Sequence, residues 1–340
     1  MQTRELGRSG IEASVVGLGT WVTGGWMWGG SEESDGIAAI RAALDSGITL
    51  IDTAPIYGFG RSEEILGRAI EGRRDEVVLA TKCGMTWQDE RSSQGLRGGD
   101  KFFDTDDEHP GEGDREVFKH LRPDSVRDEL ERSLARLRTD RIDLYQTHWQ
   151  ESTTAIEDTM ACLLELKAAG KVRAIGCSNV TDDELRAYDA AGRADVDQDK
   201  YSMLDRGPDE TRLGLCRELG VSFLAYSPLA LGLLTGKVKP DATFPSGDLR
   251  SRRERFSAEN LTRVQSMLDE LRPIAERLGL TLAQLAIAWT VSRPGLTHAL
   301  VGARTPDQAR ANARAGERLL DEGEAAEITA IVDRHRDGIV

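Results

Sequence analysis

Val172-Arg-Ala-Ile-Gly-Cys-Ser178-Asn-Val-Thr181-Asp-Asp-Glu184-Leu-Arg-Ala-Tyr-Asp-Ala-Ala-Gly-Arg-Ala-Asp195-Val-Asp-Gln198 holds one complete structural unit. Val172–Ile175 is a short apolar, β-branched run that reads as a strand. Thr181 followed by Glu184 is a capping box, which opens a helix. Asp195–Gln198 begins the next strand. Working outward, the same alternation recurs in both directions. Strand-like runs stand at Val15–Leu18, Thr49–Ile51, Val77–Ala80, Ile142–Tyr145, Val221–Ala225 and His298–Val301, eight with the two already named. Between them lie stretches with helical spacing. Asp35–Asp45 aligns Ile37, Ile40, Ala43 and Leu44. Asp124–Arg138 aligns Val126, Leu130, Leu134 and Leu137. Ala155–Ala168 aligns Ile156, Met160, Leu163 and Leu164. Thr305-Pro306 starts a further helix, and Gly170 and Gly220 mark helix ends.

Eight strand–helix units imply parallel strands joined by right-handed crossovers, and eight is the number that closes a (β/α)8 barrel. The expectation is one TIM-barrel domain over residues 1–340, with an N-terminal β-hairpin at Arg4–Gly7 and Ile11–Ser14 and an extra C-terminal helix over Glu322–Asp337. Two connections, 84–121 and 228–260, are too long for plain loops and should lie on the C-terminal, active-site face.

The 340 residues carry 44 Lys and Arg against 58 Asp and Glu, a formal charge of −14. That balance argues against a nucleic-acid partner and against an anionic membrane surface. The two uncharged windows, Ala13–Ser31 and Leu219–Gly236, are interrupted by Gly, Ser and Thr and do not read as spanning helices. No secretory signal is visible at the start. Cys83, Cys162, Cys177 and Cys216 form no CxxC pair, which fits free thiols in a reducing cytoplasm. The five histidines, His109, His120, His148, His298 and His335, lack ligand spacing, so no metal is expected.

In a barrel the strand ends gather Asp52, Lys82, His148, Ser178-Asn179, Gln198 and Tyr226, with Tyr57 just beyond Asp52. A tyrosine titrates near ~10 in water. A Lys ammonium about 4 Å away is worth roughly 4 kcal/mol at an effective dielectric of ~20, or about three pKa units. The expectation is a Tyr57 made more acidic by Lys82, with Asp52 holding the ammonium and His148 orienting a carbonyl or sharing the proton transfer. No activated Ser or Cys nucleophile is evident, so carbonyl reduction with an external hydride source fits these groups.

Gly17-Leu-Gly-Thr-Trp21, Asp52-Thr-Ala-x-x-Tyr57-Gly, Lys82, His148-Trp149, Gly176-Cys-Ser-Asn179, Ala225-Tyr-Ser-Pro-Leu229 and Gly302-Ala-Arg-Thr305 stand in the order seen in aldo-keto reductases. The chain resembles that superfamily from about Arg4 to Asn312. Gly60-Arg-Ser-Glu-Glu64 is similar to the bacterial branch related to the potassium-channel β subunits. The resemblance implies a (β/α)8 barrel that binds NADPH without a Rossmann fold, and a catalytic tetrad of Tyr57, Asp52, Lys82 and His148. It implies that Ser178, Asn179 and Gln198 bind the nicotinamide carboxamide, that Tyr226 stacks on the ring, and that Gly19, Thr20, Trp21 and Asp52 line the same site. Ser227, Pro228, Leu229, Gly232 and Lys237 would meet the pyrophosphate. Gly302, Arg304, Gln308 and Asn312 would hold the adenosine end, with Arg250 contributing, and Arg304 favours NADPH over NADH. Many relatives carry Lys at Gly302, Arg at Gln308 and Glu at Ala311, so the 2′-phosphate contact rests largely on Arg304 here.

Trp21, Trp26, Trp28, Trp87 and Trp149 fall near the barrel mouth. Of these, Trp21, Trp26, Trp87 and Trp149 are expected to wall the substrate pocket, where aromatic faces favour aryl or sugar-like carbonyls. Gln150 replaces the proline common after His-Trp. The acidity of 84–121 disfavours anionic substrates. The sequence thus points to an NADPH-dependent reduction of a small aldehyde or ketone. A cofactor-binding regulatory subunit with little turnover is the alternative, and the oligomeric state is open.

Overall fold

The computed structural model describes residues 1–87, 100–103, 116–245 and 247–340. Eight parallel strands close into a barrel in the order β10-β11-β12-β13-β3-β4-β5-β9. They are β3 (Val16–Gly19), β4 (Leu50–Asp52), β5 (Val78–Cys83), β9 (Ile142–Thr147), β10 (Val172–Ser178), β11 (Val196–Lys200), β12 (Ser222–Tyr226) and β13 (Leu296–Gly302). Every strand-like run of the sequence is present. The barrel helices are α1 (Glu33–Asp45), α2 (Arg61–Ala69), α3 (Pro123–Leu137), α4 (Ile156–Ala168), α5 (Asp182–Gly192), α6 (Arg212–Leu219), α8 (Leu282–Val291) and α9 (Pro306–Arg314). Two further helices, α7 (Ala258–Arg277) and α10 (Glu322–His335), pack against each other.

Local signals act as the sequence suggests. Thr181 Oγ1 accepts from the Glu184 amide at 3.2 Å, and the Glu184 carboxylate accepts from the Thr181 amide at 2.6 Å. Thr305 caps α9 with Pro306 in its first turn. Gly170 and Gly220 lie just past the ends of α4 and α6.

Side chains alternate along each strand, and the period of two builds the site. One set fills the lower barrel: Leu50, Ala80, Leu144, Ala174, Val196, Leu224 and Leu300. The hairpin of β1 (Thr3–Glu5) and β2 (Glu12–Ser14) plugs that end, adding Leu6, Ile11 and Ala13 to the same cluster. Two residues further along β4, β5, β9 and β11, the interior becomes polar, with Asp52, Lys82, Gln146 and Gln198 all buried. The alternate face packs beneath the helices in a larger core.

The 84–121 segment departs from the expected loop. It carries a three-stranded antiparallel sheet of β6 (Met85–Trp87), β7 (Asp100–Phe103) and β8 (Glu116–Lys119), with β8 central. The pairing of β6 with β8 joins residues some thirty positions apart, so no local periodicity reveals it. Met85, Trp87 and Val117 turn inward. The 228–260 connection holds short 3-10 turns at Ala230–Thr235, Leu249–Arg252 and Glu254–Phe256 and the first turn of α7. Among the described residues, no helix is long and apolar enough to cross a membrane and no cluster of three metal-ligating side chains occurs.

Candidate active site

Asp52 ends β4, and its carboxylate is held on both oxygens. Oδ2 accepts from Lys82 Nζ at 2.7 Å. Oδ1 accepts from Gln198 Nε2 at 2.9 Å and Gln146 Nε2 at 3.3 Å. Lys82 Nζ also donates to the Thr53 carbonyl at 2.9 Å and to Tyr57 Oη at 3.3 Å. His148 stands across the mouth, its ring edge-on to Tyr57 with centroids 5.9 Å apart. The four expected tetrad residues therefore converge at one end of the barrel.

Their electrostatics correct one expectation. Burial raises the Tyr57 phenol above its ordinary value, and the neighbouring Lys82 only partly offsets this. The barrel removes more hydration from a phenolate than one ammonium returns. Tyr57 is thus a protonated acid, not a phenol made more acidic. Burial opposes the Lys82 charge, but Asp52 and Tyr57 outweigh it and raise its pKa. Burial holds His148 well below its ordinary value, and Lys82 and Lys119 push in the same direction. His148 is neutral.

The expected cofactor residues separate into two groups. Tyr226 Oη donates to Asn179 Oδ1 at 2.8 Å. Asn179 Nδ2 donates to the His148 carbonyl and to Ser178 Oγ, both at 3.0 Å. Ser178 Oγ donates to the Gln198 carbonyl at 2.8 Å. The side chains of Tyr226, Asn179 and Ser178 and the Gln198 carbonyl form one continuous network at the ends of β10, β11 and β12. Beyond Tyr226 the backbone turns left-handed at Ser227, Ala230, Leu231 and Gly232, around the buried Pro228 and half-buried Leu229. A turn of this kind presents successive N–H groups to an anion. Arg250 Nη1 would lie 3.8 Å from a Cβ placed on Gly232. Lys237 is exposed nearby in sequence.

At the other end, Arg304 Nη2 donates to the Trp28 carbonyl at 2.9 Å. The Arg250 and Arg304 guanidinium carbons lie 5.3 and 5.6 Å from the Trp28 ring. Arg250 is paired with Asp248 through Nε at 2.9 Å and Nη2 at 2.6 Å. Gln308 Oε1 accepts from the Arg304 amide at 2.7 Å, and Asn312 Nδ2 donates to the Gly302 carbonyl at 3.2 Å. The Thr20 hydroxyl is engaged within the barrel wall. It donates to the Asp52 carbonyl at 3.0 Å and accepts from Ser62 Oγ at 2.8 Å. That side chain is buried and ties the end of β3 to β4, while Gly19 stays half-buried at the strand end. Trp21 Nε1, Trp28 Nε1 and His148 Nδ1 are buried and unpaired. The orphaned polar atoms, together with a left-handed turn and two guanidinium groups, fit a flat, polar, phosphate-bearing cofactor.

Residues 15–333 match the Aldo/keto reductase family. The chain belongs to that family. It is 40% identical over 314 residues to the aldo-keto reductase YhdN of Bacillus subtilis, covering 92% of this chain and 87% of that one. It is 41% identical over 321 residues to the NADH-specific methylglyoxal reductase of Escherichia coli, covering 93% of each. Among solved structures, the glycerol dehydrogenase AKR11B4 of Gluconobacter oxydans superposes with a TM-score of 0.84 at 35% identity, over 98% of this chain and 95% of that one. Members of the family are oxidoreductases that use nicotinamide cofactors, and this aldo/keto reductase is one of them.

The mouth of this aldo/keto reductase is aromatic. Trp21 stacks on Tyr57 with centroids 6.2 Å apart, and Trp28 meets Trp21 edge-on at 5.4 Å. Trp26 lies 5.4 Å from Phe59, and Phe59 lies 5.6 Å from Trp87. Trp87 is buried behind Phe59 and backs the wall, whereas Trp26 and Trp149 are half-buried against it. Lys119, from the inserted sheet, sits over Trp149 at 4.4 Å. Phe59 and Gln146 are the site residues that sequence reasoning missed. The available signal for Gln146 was its position near the end of β9, two residues before His148, which stands just past the same strand.

Proposed function

We propose that this aldo/keto reductase reduces a small neutral aldehyde or ketone, including aryl and sugar-like carbonyls, to the alcohol, using NADPH. The observation that carries the reading is the Tyr57 hydroxyl 3.3 Å from Lys82 Nζ, itself 2.7 Å from Asp52. A reduced nicotinamide, when bound, supplies the hydride that the carbonyl carbon gains. Tyr57 gives its proton to the carbonyl oxygen, and water returns it afterwards. Lys82 stays charged and offsets the phenolate that this transfer leaves. His148 is neutral and Nδ1 has no acceptor. In this reading the proton sits on Nε2, where it donates to the carbonyl oxygen. Ser178, Asn179 and Gln198 orient the nicotinamide, and Tyr226 is fixed by Asn179 to stack on it. Trp21, Trp26, Phe59 and Trp149 exclude water from the reacting carbonyl.

Two guanidinium groups beside one carboxylate leave a cationic cleft end at Arg250, Arg304 and Asp248, which supports a phosphate-bearing cofactor. NADH is the second reading, favoured by the Arg304 contact to the Trp28 carbonyl and by the name of the Escherichia coli relative. The four cysteines are free and buried, in keeping with a reducing cytoplasm, and we read residues 1–340 as one working domain.

The test is cofactor oxidation, followed by absorbance, with methylglyoxal, aryl aldehydes and ketosugars. Tyr57→Phe is expected to slow reduction roughly a thousandfold while leaving NADPH affinity nearly unchanged. Full turnover by that variant removes Tyr57 from the mechanism. Tight NADPH binding by the wild type with no turnover supports the regulatory alternative. Arg304→Ala is expected to weaken NADPH roughly tenfold more than NADH, and equal weakening favours the second reading.

A further inference from the structure

The acid–base reading gives no task to Gln146, a fully buried side chain on the floor of the site. It stands on β9 in register with Lys82 on β5 and Gly176 on β10. A Cβ placed on Gly176 would lie 2.8 Å from Gln146 Cγ, so the glycine leaves the space that this side chain occupies. The residues below it in the barrel are apolar, and a leucine would continue them. A carboxamide at this level therefore has work other than filling volume.

Its contacts define that work. Nε2 donates to Asp52 Oδ1 at 3.3 Å, and Oε1 accepts from Gln198 Nε2 at 3.3 Å. Gln198 Nε2 also donates to Asp52 Oδ1 at 2.9 Å. An ionised carboxylate accepts only, so both glutamines must turn an NH2 group toward Oδ1. Gln146 then offers its oxygen to the second N–H of Gln198. That leaves Gln198 Oε1 as the free end, and among the described residues it has no donor. A primary carboxamide such as that of nicotinamide carries the NH2 group to fill it.

We propose that Gln146 is a positioning residue: it fixes the Asp52 carboxylate beneath Lys82 and, by taking one N–H of Gln198, sets which end of Gln198 meets the cofactor. The half that concerns Gln198 rests on the cofactor reading above. The triangle of Asp52, Gln146 and Gln198 makes the hydride side and the proton side of the site share one hydrogen-bonded carboxylate.

The experiment compares Gln146→Leu and Gln146→Glu with the wild type, with Tyr57→Phe alongside. The readouts are kcat, both KM values, NADPH affinity, the pH dependence of kcat and a thermal melt. Gln146→Leu is expected to melt like the wild type yet lose roughly tenfold in kcat, with weaker NADPH binding and an unchanged carbonyl KM. Gln146→Glu keeps the shape but donates to Asp52 only when protonated. Asp52 on β4, Lys82 on β5, and His148 and Tyr57 at the mouth are the titratable groups around it. Its kcat should rise toward the wild-type value as pH falls, a recovery that lost packing does not produce. Wild-type kcat and pH profile in both variants would overturn the proposal while leaving the Tyr57 chemistry intact. Full activity of Tyr57→Phe, or no nicotinamide binding by the wild type, would overturn both. Should Gln146→Leu fail to fold, the pH response of the Glu variant decides alone.

Discussion

Tyr57 and His148 occupy one mouth, yet their environments move them apart in titration. Burial raises the Tyr57 phenol and Lys82 offsets only part of it, while burial and two lysines push His148 far below its ordinary range. Reduction requires the protonated phenol and the neutral imidazole. Raising the first and lowering the second widens the working range on both sides. The kcat for reduction should therefore stay flat from about pH 5.5, below the ordinary imidazole value of ~6.5, to about pH 9.5, close to the ordinary phenol value of ~10. A steady-state pH profile checks this. An acid limb near neutrality that disappears in His148→Gln would show that His148 does titrate there. The tetrad was legible in the sequence because each member follows a recognisable strand. The sign of the Tyr57 shift was not, since the pairwise attraction to Lys82 can be written from a motif while the loss of hydration needs the closed barrel. The partners of Thr20 were not legible for a related reason: its motif position put it at the cleft, while the bonds of its hydroxyl to Asp52 and Ser62 need the closed barrel.

At the scale of elements, the loop that carries Tyr57 is placed by backbone contact more than by side chains. A Cβ on Gly24 would lie 2.5 Å from the Tyr57 carbonyl oxygen, and one on Gly58 would lie 2.4 Å from the Gly24 carbonyl oxygen. Gly58 is also left-handed, at φ +70°. The short helix Trp21–Gly24 and the β4–α2 loop thus meet with no room for a methyl group. Gly24→Ala must displace Tyr57 from Lys82, and a misplacement near 1 Å costs roughly a hundredfold in rate. The expected result is a large loss in kcat with a smaller change in melting temperature. A variant that melts early but keeps its kcat would assign Gly24 to stability alone. The eight barrel strands were legible because alternation is a local signal. The inserted sheet was not, because Met85–Trp87 finds its partner in Glu116–Lys119 across a polar stretch. With it went the chance to foresee Lys119 over Trp149, which puts a cation into a segment whose composition is acidic.

For the whole molecule, barrel closure and the N-terminal plug depend on one another at the end opposite the site. Arg4 Nη1 donates to the carbonyls of Leu296 and Thr297, both at 3.0 Å, so the hairpin grips the start of β13. His298 is buried at the same junction, with Nδ1 2.9 Å from Thr297 Oγ1 and Nε2 3.3 Å from the Arg4 carbonyl. Burial lowers its pKa to about 4, and the Arg4 charge opposes protonation further. The folded state therefore binds fewer protons than the unfolded chain, whose histidine titrates near ~6.5. Stability from this residue is complete above that value and is lost as pH falls toward about 4, up to roughly 3 kcal/mol. Asp197, raised to about 7 by burial despite Arg212, works in the opposite sense over the same interval, so the melting temperature of the wild type alone mixes the two. The difference between wild type and His298→Asn isolates the histidine, because Asp197 is common to both. That difference should favour the wild type near pH 7 and shrink steadily toward pH 4.5, with protection of the β1 and β13 amides from hydrogen exchange falling in parallel. A difference that does not change with pH would mean His298 holds the junction by packing alone.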